Sequence, residues 1–527
     1  MTKVQKDMAL IKGPPTTFNV FQKLGTLIGM LGLIIIALAG FNVDFPNKGL
    51  WLGLSIAAMT LGVILYSKGL YDAKLSGIKN DHVWFYSISS RGFLAWILGI
   101  CLTSFYIVLY FFPQFLGLNE SGNTGVIAFF DPLSHLLSGH DASQWFVYGT
   151  LYTVAIFAFG IKFIWKYRNN NYEKLRTLSV MFFQLAFAFI IPELMARLNS
   201  ETFHLPYYDL KNIWPLNYYN FEQYRVDDFI SAGSVGLFLL FFGIASILII
   251  TPILTYKFGK RWYCSWVCGC GGLAETAGDS FRQLSDKSTF AWKVERWLVH
   301  SVLVFVVVMT TAVISTYLGW DPEKYWLTKD VFLLIVGLGL GLLFALIYYF
   351  KKHELGKDAK LGAIGYLTIV LFLIGMHFFS DNQNVFLFEA ESLRSTYGFL
   401  IGSIFSGVIG TGFYPIFGNR VWCRFGCPMA AILGMQQRLF SKFRITTNGG
   451  QCISCGNCST YCEMGIDVKA YAQKGQNIVR SSCVGCGVCS AVCPRGVLKL
   501  ENGEDTGSSR HESNPITFGN DGVKLNF

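Results

Sequence analysis

The sequence predicts a polytopic α-helical membrane protein of about ten spans that closes with a small cysteine-rich α+β domain. Three observations predict it. Of 527 residues, 52% are hydrophobic and only 14% charged, with a mean hydropathy of +0.42, which fits a chain held mostly in lipid. Long apolar runs recur through residues 22–417. From about residue 441 these give way to polar residues, glycine and eight closely spaced cysteines.

A spanning helix needs about 20 mostly apolar residues. Ten runs qualify, at 22–43, 50–67, 93–117, 145–165, 177–196, 232–256, 298–319, 331–350, 361–380 and 397–417. Ala37, Leu38 and Ala39 resemble a signal-peptidase site, but so long an apolar run reads as an anchor. Alternate connecting segments hold 24 lysines and arginines, against 7 in the others. The positive-inside rule then puts both termini, and every cysteine group, on the cytoplasmic side of a bacterial inner membrane. The net charge of +10 is scattered among short loops, so membrane topology accounts for it and nucleic acid is not an expected partner. Four regions follow: 1–231 with five spans, 232–440 with five more, the soluble domain 441–503, and a polar tail 504–527 expected to be flexible.

Of 14 cysteines, Cys101 lies within an apolar run and the other thirteen are grouped at spacings that favour metal over disulfides. Cys452, Cys455, Cys458 and Cys462 form a C-x2-C-x2-C-x3-C run, repeated by Cys483, Cys486, Cys489 and Cys493 before Pro494. This pair of runs is the signature of a bacterial-type ferredoxin with two 4Fe–4S clusters. Three thiolates of each run wrap one cubane and the fourth completes the other. Cys452, Cys455 and Cys458 should therefore share a cluster with Cys493, and Cys483, Cys486 and Cys489 with Cys462. Structural zinc sites rarely use such spacing. Gly456, Gly485 and Gly487 suit loops wrapped closely on a cluster. Glu463 stands after Cys462, where the pattern usually has proline.

FGKRWYCSWVCG at 258–269 matches FGNRVWCRFGCP at 417–428 at a constant offset of 159 residues. Each copy follows a predicted span. Cys264, Cys268, Cys423 and Cys427 could therefore converge at the membrane edge and bind an additional metal centre, with Arg261 and Arg420 favouring thiolates. The bland alternative is buried thiols shaping two helix ends, with the arginines as ordinary anchors. Cys270 extends the first copy to C-x3-C-x-C.

Taken together, the two repeat copies and the eight ferredoxin cysteines resemble the membrane polyferredoxins of the NapH, NosR and CcoG kind over residues 232–503. The resemblance implies electron transfer between a quinol or cytoplasmic donor and a respiratory reductase or other redox partner protein. It also leaves a rival: a redox or assembly factor for maturation of a copper enzyme, a nitrous oxide reductase or cytochrome oxidase. Gly269 replaces the usual proline of the first copy, and nothing upstream resembles the flavin-bearing NosR-type domain.

Within the apolar runs, Gln184, Glu193 and His377 are polar groups that a quinone site could use; the loop residues Asp131, His135 and His140 are weaker alternatives. No C-x-x-C-H motif or paired histidine pattern predicts haem, and no dinucleotide or phosphate loop occurs. A transporter with an appended ferredoxin lacks support, because the N-terminal spans show no paired Gly/Pro-interrupted helices. The expected role is an electron-transfer subunit of an oxidoreductase system rather than a stand-alone enzyme.

Overall fold

The computed structural model describes residues 18–72, 89–200, 203–503, 516–519 and 522–525. Among them, nine helices are long and apolar enough to cross a membrane: α1 (Val20–Gly40), α2 (Lys48–Tyr71), α3 (Phe93–Phe111), α4 (Gln144–Lys166), α5 (Asn171–Arg197), α6 (Gly233–Phe258), α7 (Thr289–Trp320), α8 (Lys329–Lys351) and α9 (Lys357–Phe379). Residues 1–17 and 73–88, which carry part of the basic charge used for orientation, lie outside the described residues. So does most of the tail; its described segments Ile516–Gly519 and Gly522–Leu525 pair antiparallel.

α1 and α2 pack through small residues, as helices do where lipid offers no hydrophobic drive. A Cβ on Gly62 would lie 2.6 Å from Gly29 Cα, and Ser55 Oγ donates to the Gly32 carbonyl at 2.7 Å.

The tenth expected span takes another form. A helix at Ala390–Tyr397 continues as π-helix over Gly398–Gly412. Its glycines dilute the apolar run and admit tyrosines from neighbouring segments: a Cβ on Gly398 would meet Tyr218 Oη at 2.7 Å, and one on Gly407 would overlap the Tyr106 ring. π turns also interrupt α5 at Phe183–Ile190 and α6 at Ser246–Ile250. Each of the three stretches is followed within a few residues by proline: Pro192, Pro252 or Pro415. Proline lacks a donor and its ring crowds the carbonyl four residues back; a wider turn relieves both. Two of these breaks directly precede the cysteine repeats.

The ferredoxin-type elements begin after the helix Pro428–Phe440. Arg444–Thr447 pairs antiparallel with Leu498–Glu501, and the short helices Asn457–Thr460, Val468–Gln473 and Val488–Ala491 lie between them. They do not form an isolated domain. One core runs from Cys264, Cys268, Cys423 and Cys427 through Met429, Leu433 and Phe443 to Ile445, Cys458, Cys483 and Cys489.

Candidate iron–sulfur site

The two ferredoxin runs repeat one another in three dimensions. Gly456 and Gly487 have positive φ, 77° and 91°, and cap the helices that carry Cys458 and Cys489. A side chain would be strained there. The following turns also match. Thr460 N donates to Gly456 O and Ala491 N to Gly487 O, at 2.9 and 3.0 Å, and Cys462 N and Cys493 N each donate three residues back, to Ser459 O and Ser490 O, at 3.3 Å.

The thiols meet across the runs. Burial, with Cys493, Cys455 and Cys452 adding to it, pushes the Cys458 thiol up to about 11. Burial with Cys483 nearby does the same for Cys462. Cys489 is raised by burial and then by Cys483, Cys462 and Cys458. Cys462, Cys483, Cys486 and Cys489 also line one apolar cavity. Buried thiols of this kind resist ionisation unless a cation shares the charge, which suits them to thiolate ligation. Among the described residues, no three or more His, Cys, Asp or Glu side chains converge closely enough for a single metal ion. A cubane spreads its ligands over separate irons and does not need that convergence.

One run faces the membrane helices and the other faces out. Lys260 Nζ donates to Ser481 O (2.7 Å), Gln437 Nε2 to Cys483 O (2.7 Å), Ser265 Oγ to Val484 O (2.8 Å) and Tyr172 Oη to Gly485 O (2.8 Å). The loop of Cys483 and Cys486 is thus pinned to the first cysteine repeat by Lys260 and Ser265, to α5 by Tyr172 and to the helix Pro428–Phe440 by Gln437. Cys455 and Ile453 are exposed instead, and Cys452 is partly so. Sequence spacing treats the runs as equivalent, whereas packing makes one inner and one outer.

The cysteine repeats are structural repeats. Gly259 and Gly418 both have positive φ, 69° and 93°, where the preceding helix ends. Cys268 N donates to Tyr263 O at 2.8 Å and Cys427 N to Trp422 O at 2.9 Å, closing the same loop twice. Cys268 and Cys427 then cap the helices Gly269–Thr276 and Pro428–Phe440. Burial raises Cys264 up to about 12, with Cys268 and Cys423 contributing, and burial raises Cys427, with Cys423, Cys264 and Cys268 contributing. The four thiols are therefore mutual neighbours. Cys270 shares a hydrogen bond with Cys268, which is held below the usual thiol range by this bond against the effect of burial.

These cysteines lie beside the apolar helices as well as at their ends. The loops turn back beside the helices they follow: Ser179 Oγ donates to Trp266 O (3.0 Å), and Phe405 packs on Trp422 and Gly426. A Cβ on Gly269 would lie 2.7 Å from Gln184 Oε1 and from Lys211 Nζ. On α5, Tyr172 touches the ferredoxin loop and Gln184 borders Gly269, so these contacts are separated by roughly 18 Å of helix. Lys211 belongs to the segment joining the far ends of α5 and α6, and its carbonyl accepts from Tyr263 Oη at 2.8 Å. A side chain at 269 would require the ends of Gln184 and Lys211 to move.

A chain of buried charges joins the parts. Glu173 and Glu275 flank Arg176, Glu275 also holds Arg420, and Glu463 lies between Arg420 (Nε 3.0 Å) and Arg282 (Nη1 2.6 Å). Arg282 Nε reaches Asp279 at 2.7 Å, which pairs with Lys166 Nζ at 2.7 Å. All are 3% exposed or less. Burial works against the Asp279 carboxylate, yet Lys166 and Arg282 hold it down to about 2. Against the same burial, Arg282 and Arg420 hold Glu463 below the usual carboxylate range. Glu463 was visible in the sequence only as a missing proline, and its partners lie more than 40 residues away. Arg176, Glu275, Asp279 and Arg282 carried no local signal.

Of the other polar residues picked from the sequence, Glu193, His377, Asp131 and His135 have partners away from the cysteines. Glu193 accepts from Tyr207 Oη (3.1 Å), His377 Nδ1 lies 2.9 Å from Asn384 O, Asp131 accepts from Asn123 (2.8 Å), and His135 pairs with Asp141 (2.9 Å). His140 is exposed. Gln184 alone borders a cysteine repeat.

Comparison with known proteins agrees with this geometry. Residues 444–494 match the profile of the 4Fe-4S dicluster domain. Residues 238–288 and 398–446, which contain the two cysteine repeats, each match that of a 4Fe-4S binding domain. YccM of Escherichia coli (strain K12), which bears the name "Putative electron transport protein YccM", is 24% identical over 231 residues, 44% of this chain and 48% of YccM. The chain thus spans about half the length of that curated relative. No solved structure matches. The chain therefore carries 4Fe–4S ferredoxin-type domains set among apolar helices of membrane length.

Proposed function

We propose that the chain relays electrons one at a time between a soluble redox partner, docking over Cys452 and Cys455, and the membrane interior. It would do so as a subunit of an oxidoreductase system. The observation that carries this reading is the graded burial of one continuous cysteine core: Cys455 exposed, Cys458 and Cys489 buried in the same core, and the loop of Cys483 and Cys486 pinned to the repeat of Cys264 and Cys268. Cys452, Cys455, Cys458 and Cys493 would hold the outer cluster; Cys462, Cys483, Cys486 and Cys489 would hold the inner one. Cys264, Cys268, Cys423 and Cys427 would hold an additional iron–sulfur centre. Bound clusters supply one-electron carriers whose potentials the protein sets through charge, hydrogen bonds and exposure. The distribution of lysine and arginine supports a cytoplasmic ferredoxin face.

At the far ends of the spans, a groove of about 440 Å³ is lined by Tyr218, Tyr219, Tyr224, Tyr317 and Trp320, with Glu222 and Arg394 on its wall. Its volume and aromatic lining suit a planar ligand, and a quinone or quinol is the membrane-side reactant that fits an electron relay. Burial raises Glu222 to about 7 against the opposing effect of Arg394, which suits a proton acceptor near neutral pH. The Tyr218 ring lies 5.2 Å from that of Tyr397.

Anaerobic protein in liposomes, reduced with dithionite and followed by EPR, should show cubane signals that a lipid-soluble quinone reoxidises. The Cys264→Ser and Cys423→Ser variants should keep the ferredoxin signals and lose at least tenfold in the rate of reoxidation. Native protein without cubane signals, or variants reoxidised at the native rate, would contradict the relay.

A further inference from the structure

We infer that Glu463 and Arg420 set the potential of the inner cluster from opposite sides, linking it electrostatically to the cysteines of the second repeat. Both are positioning residues and neither is a ligand. The inference rests on Cys462, Cys483, Cys486 and Cys489 holding that cluster.

The geometry places one guanidinium between two cysteine groups. Arg420 Nη1 donates to Cys423 Sγ (3.5 Å) and to Cys264 O (3.4 Å), while its Nε lies 3.0 Å from Glu463 Oε1. Glu463 directly follows Cys462, and its other oxygen accepts from Arg282 Nη1 (2.6 Å) and Asn419 Nδ2 (3.1 Å). Its carbonyl accepts from Ser285 Oγ at 2.7 Å. Asn419 and Arg420 sit in the second repeat, so the residue beside Cys462 is bound to the loop that carries Cys423.

The arrangement is asymmetric in both repeats. In the outer-facing run the residue after Cys493 is Pro494, which brings no charge. In the first cysteine repeat the counterpart of Arg420 is Arg261, whose guanidinium lies over the Phe443 ring at 4.7 Å. Holding the turn after Cys462 needs no carboxylate, as the proline in the other run shows. Burying Glu463 and two arginines costs desolvation that a proline would avoid, so charge is what this position adds.

Charge so placed acts on a neighbouring cluster. Reduction adds one electron, which a nearby guanidinium favours and a nearby carboxylate opposes; with both groups 1% exposed or less, solvent and salt screen them little. The sign of the effect therefore separates charge from shape. A purely structural role would move both substitutions the same way.

The test is potentiometric titration of the full-length protein in lipid nanodiscs, read by EPR. Glu463→Gln keeps the size and hydrogen-bonding reach of the side chain and removes its charge. It should raise the reduced-to-oxidised ratio of the inner cluster at least tenfold at fixed potential, an upward shift of about 59 mV for one electron. Arg420→Gln should lower that ratio by a similar factor, and Arg420→Lys should stay near native. The cluster of Cys452, Cys455, Cys458 and Cys493 should hold its potential throughout. Shifts of the same sign, or an unmoved inner cluster in Glu463→Gln, overturn the inference. If Arg420→Gln fails to accumulate, Glu463→Gln decides by itself. Absence of the inner signal from native protein overturns the ligand assignment and the inference with it, whereas native signals with unmoved potentials overturn the inference alone.

Discussion

Replacing Cys462 by serine should abolish the same cluster as replacing Cys486, although the two lie in different cysteine runs. Cys462 shares a cavity with Cys483, Cys486 and Cys489, while the thiols that act on Cys458 are Cys493, Cys455 and Cys452. Each substitution in the first set should remove about four irons and the inner signal, leaving the outer one. Cys493→Ser and Cys455→Ser should do the reverse. EPR of the four variants, with iron counted alongside, checks this. Cys462→Ser and Cys455→Ser sharing one fate would mean that each run binds its own cluster.

The second large effect concerns the buried charges. Glu275 is 1% exposed and is the carboxylate between Arg176 and Arg420. Truncating it to alanine leaves two guanidiniums short of an anion where water cannot replace it. Breaking a buried pair in this way costs about 3–5 kcal/mol. By contrast, truncating Lys351, which pairs with Glu354 at a partly exposed site, should cost at most about 1 kcal/mol. Denaturant titration of detergent-solubilised protein, followed by loss of cluster absorbance, compares the two. Equal stability of Glu275→Ala and native protein would show that the network is dispensable.

Several parts of this architecture were legible in the residues. Thiolate spacing marks the ferredoxin runs because cubane geometry constrains it, and apolar length marks nine helices among the described residues that are long enough to span because lipid thickness sets that length. The tenth was harder. Its glycines serve Tyr106 and Tyr218, neighbours distant in the chain, and Pro415 follows its π-helical stretch, neither of which an apolar count registers. The 159-residue repeat announced paired hairpins, but their packing was hidden: the contacts that fix it, from Gln184 and Lys211 to Gly269, are long-range. The buried network was hidden for the same reason. Glu275, Asp279 and Arg282 resemble ordinary charges in a connecting segment, and only the fold removes them from water. Glu463 falls between these cases, since its departure from the ferredoxin pattern was plain while its partners were not.

The central claim is that one chain holds both ferredoxin clusters and an additional centre on the two cysteine repeats. Counting iron and acid-labile sulfide per chain in anaerobically purified protein tests it most directly. The account predicts about twelve of each, falling to about eight in Cys268→Ser and in Cys427→Ser alike. About eight in the native protein, unchanged by either substitution, would contradict it.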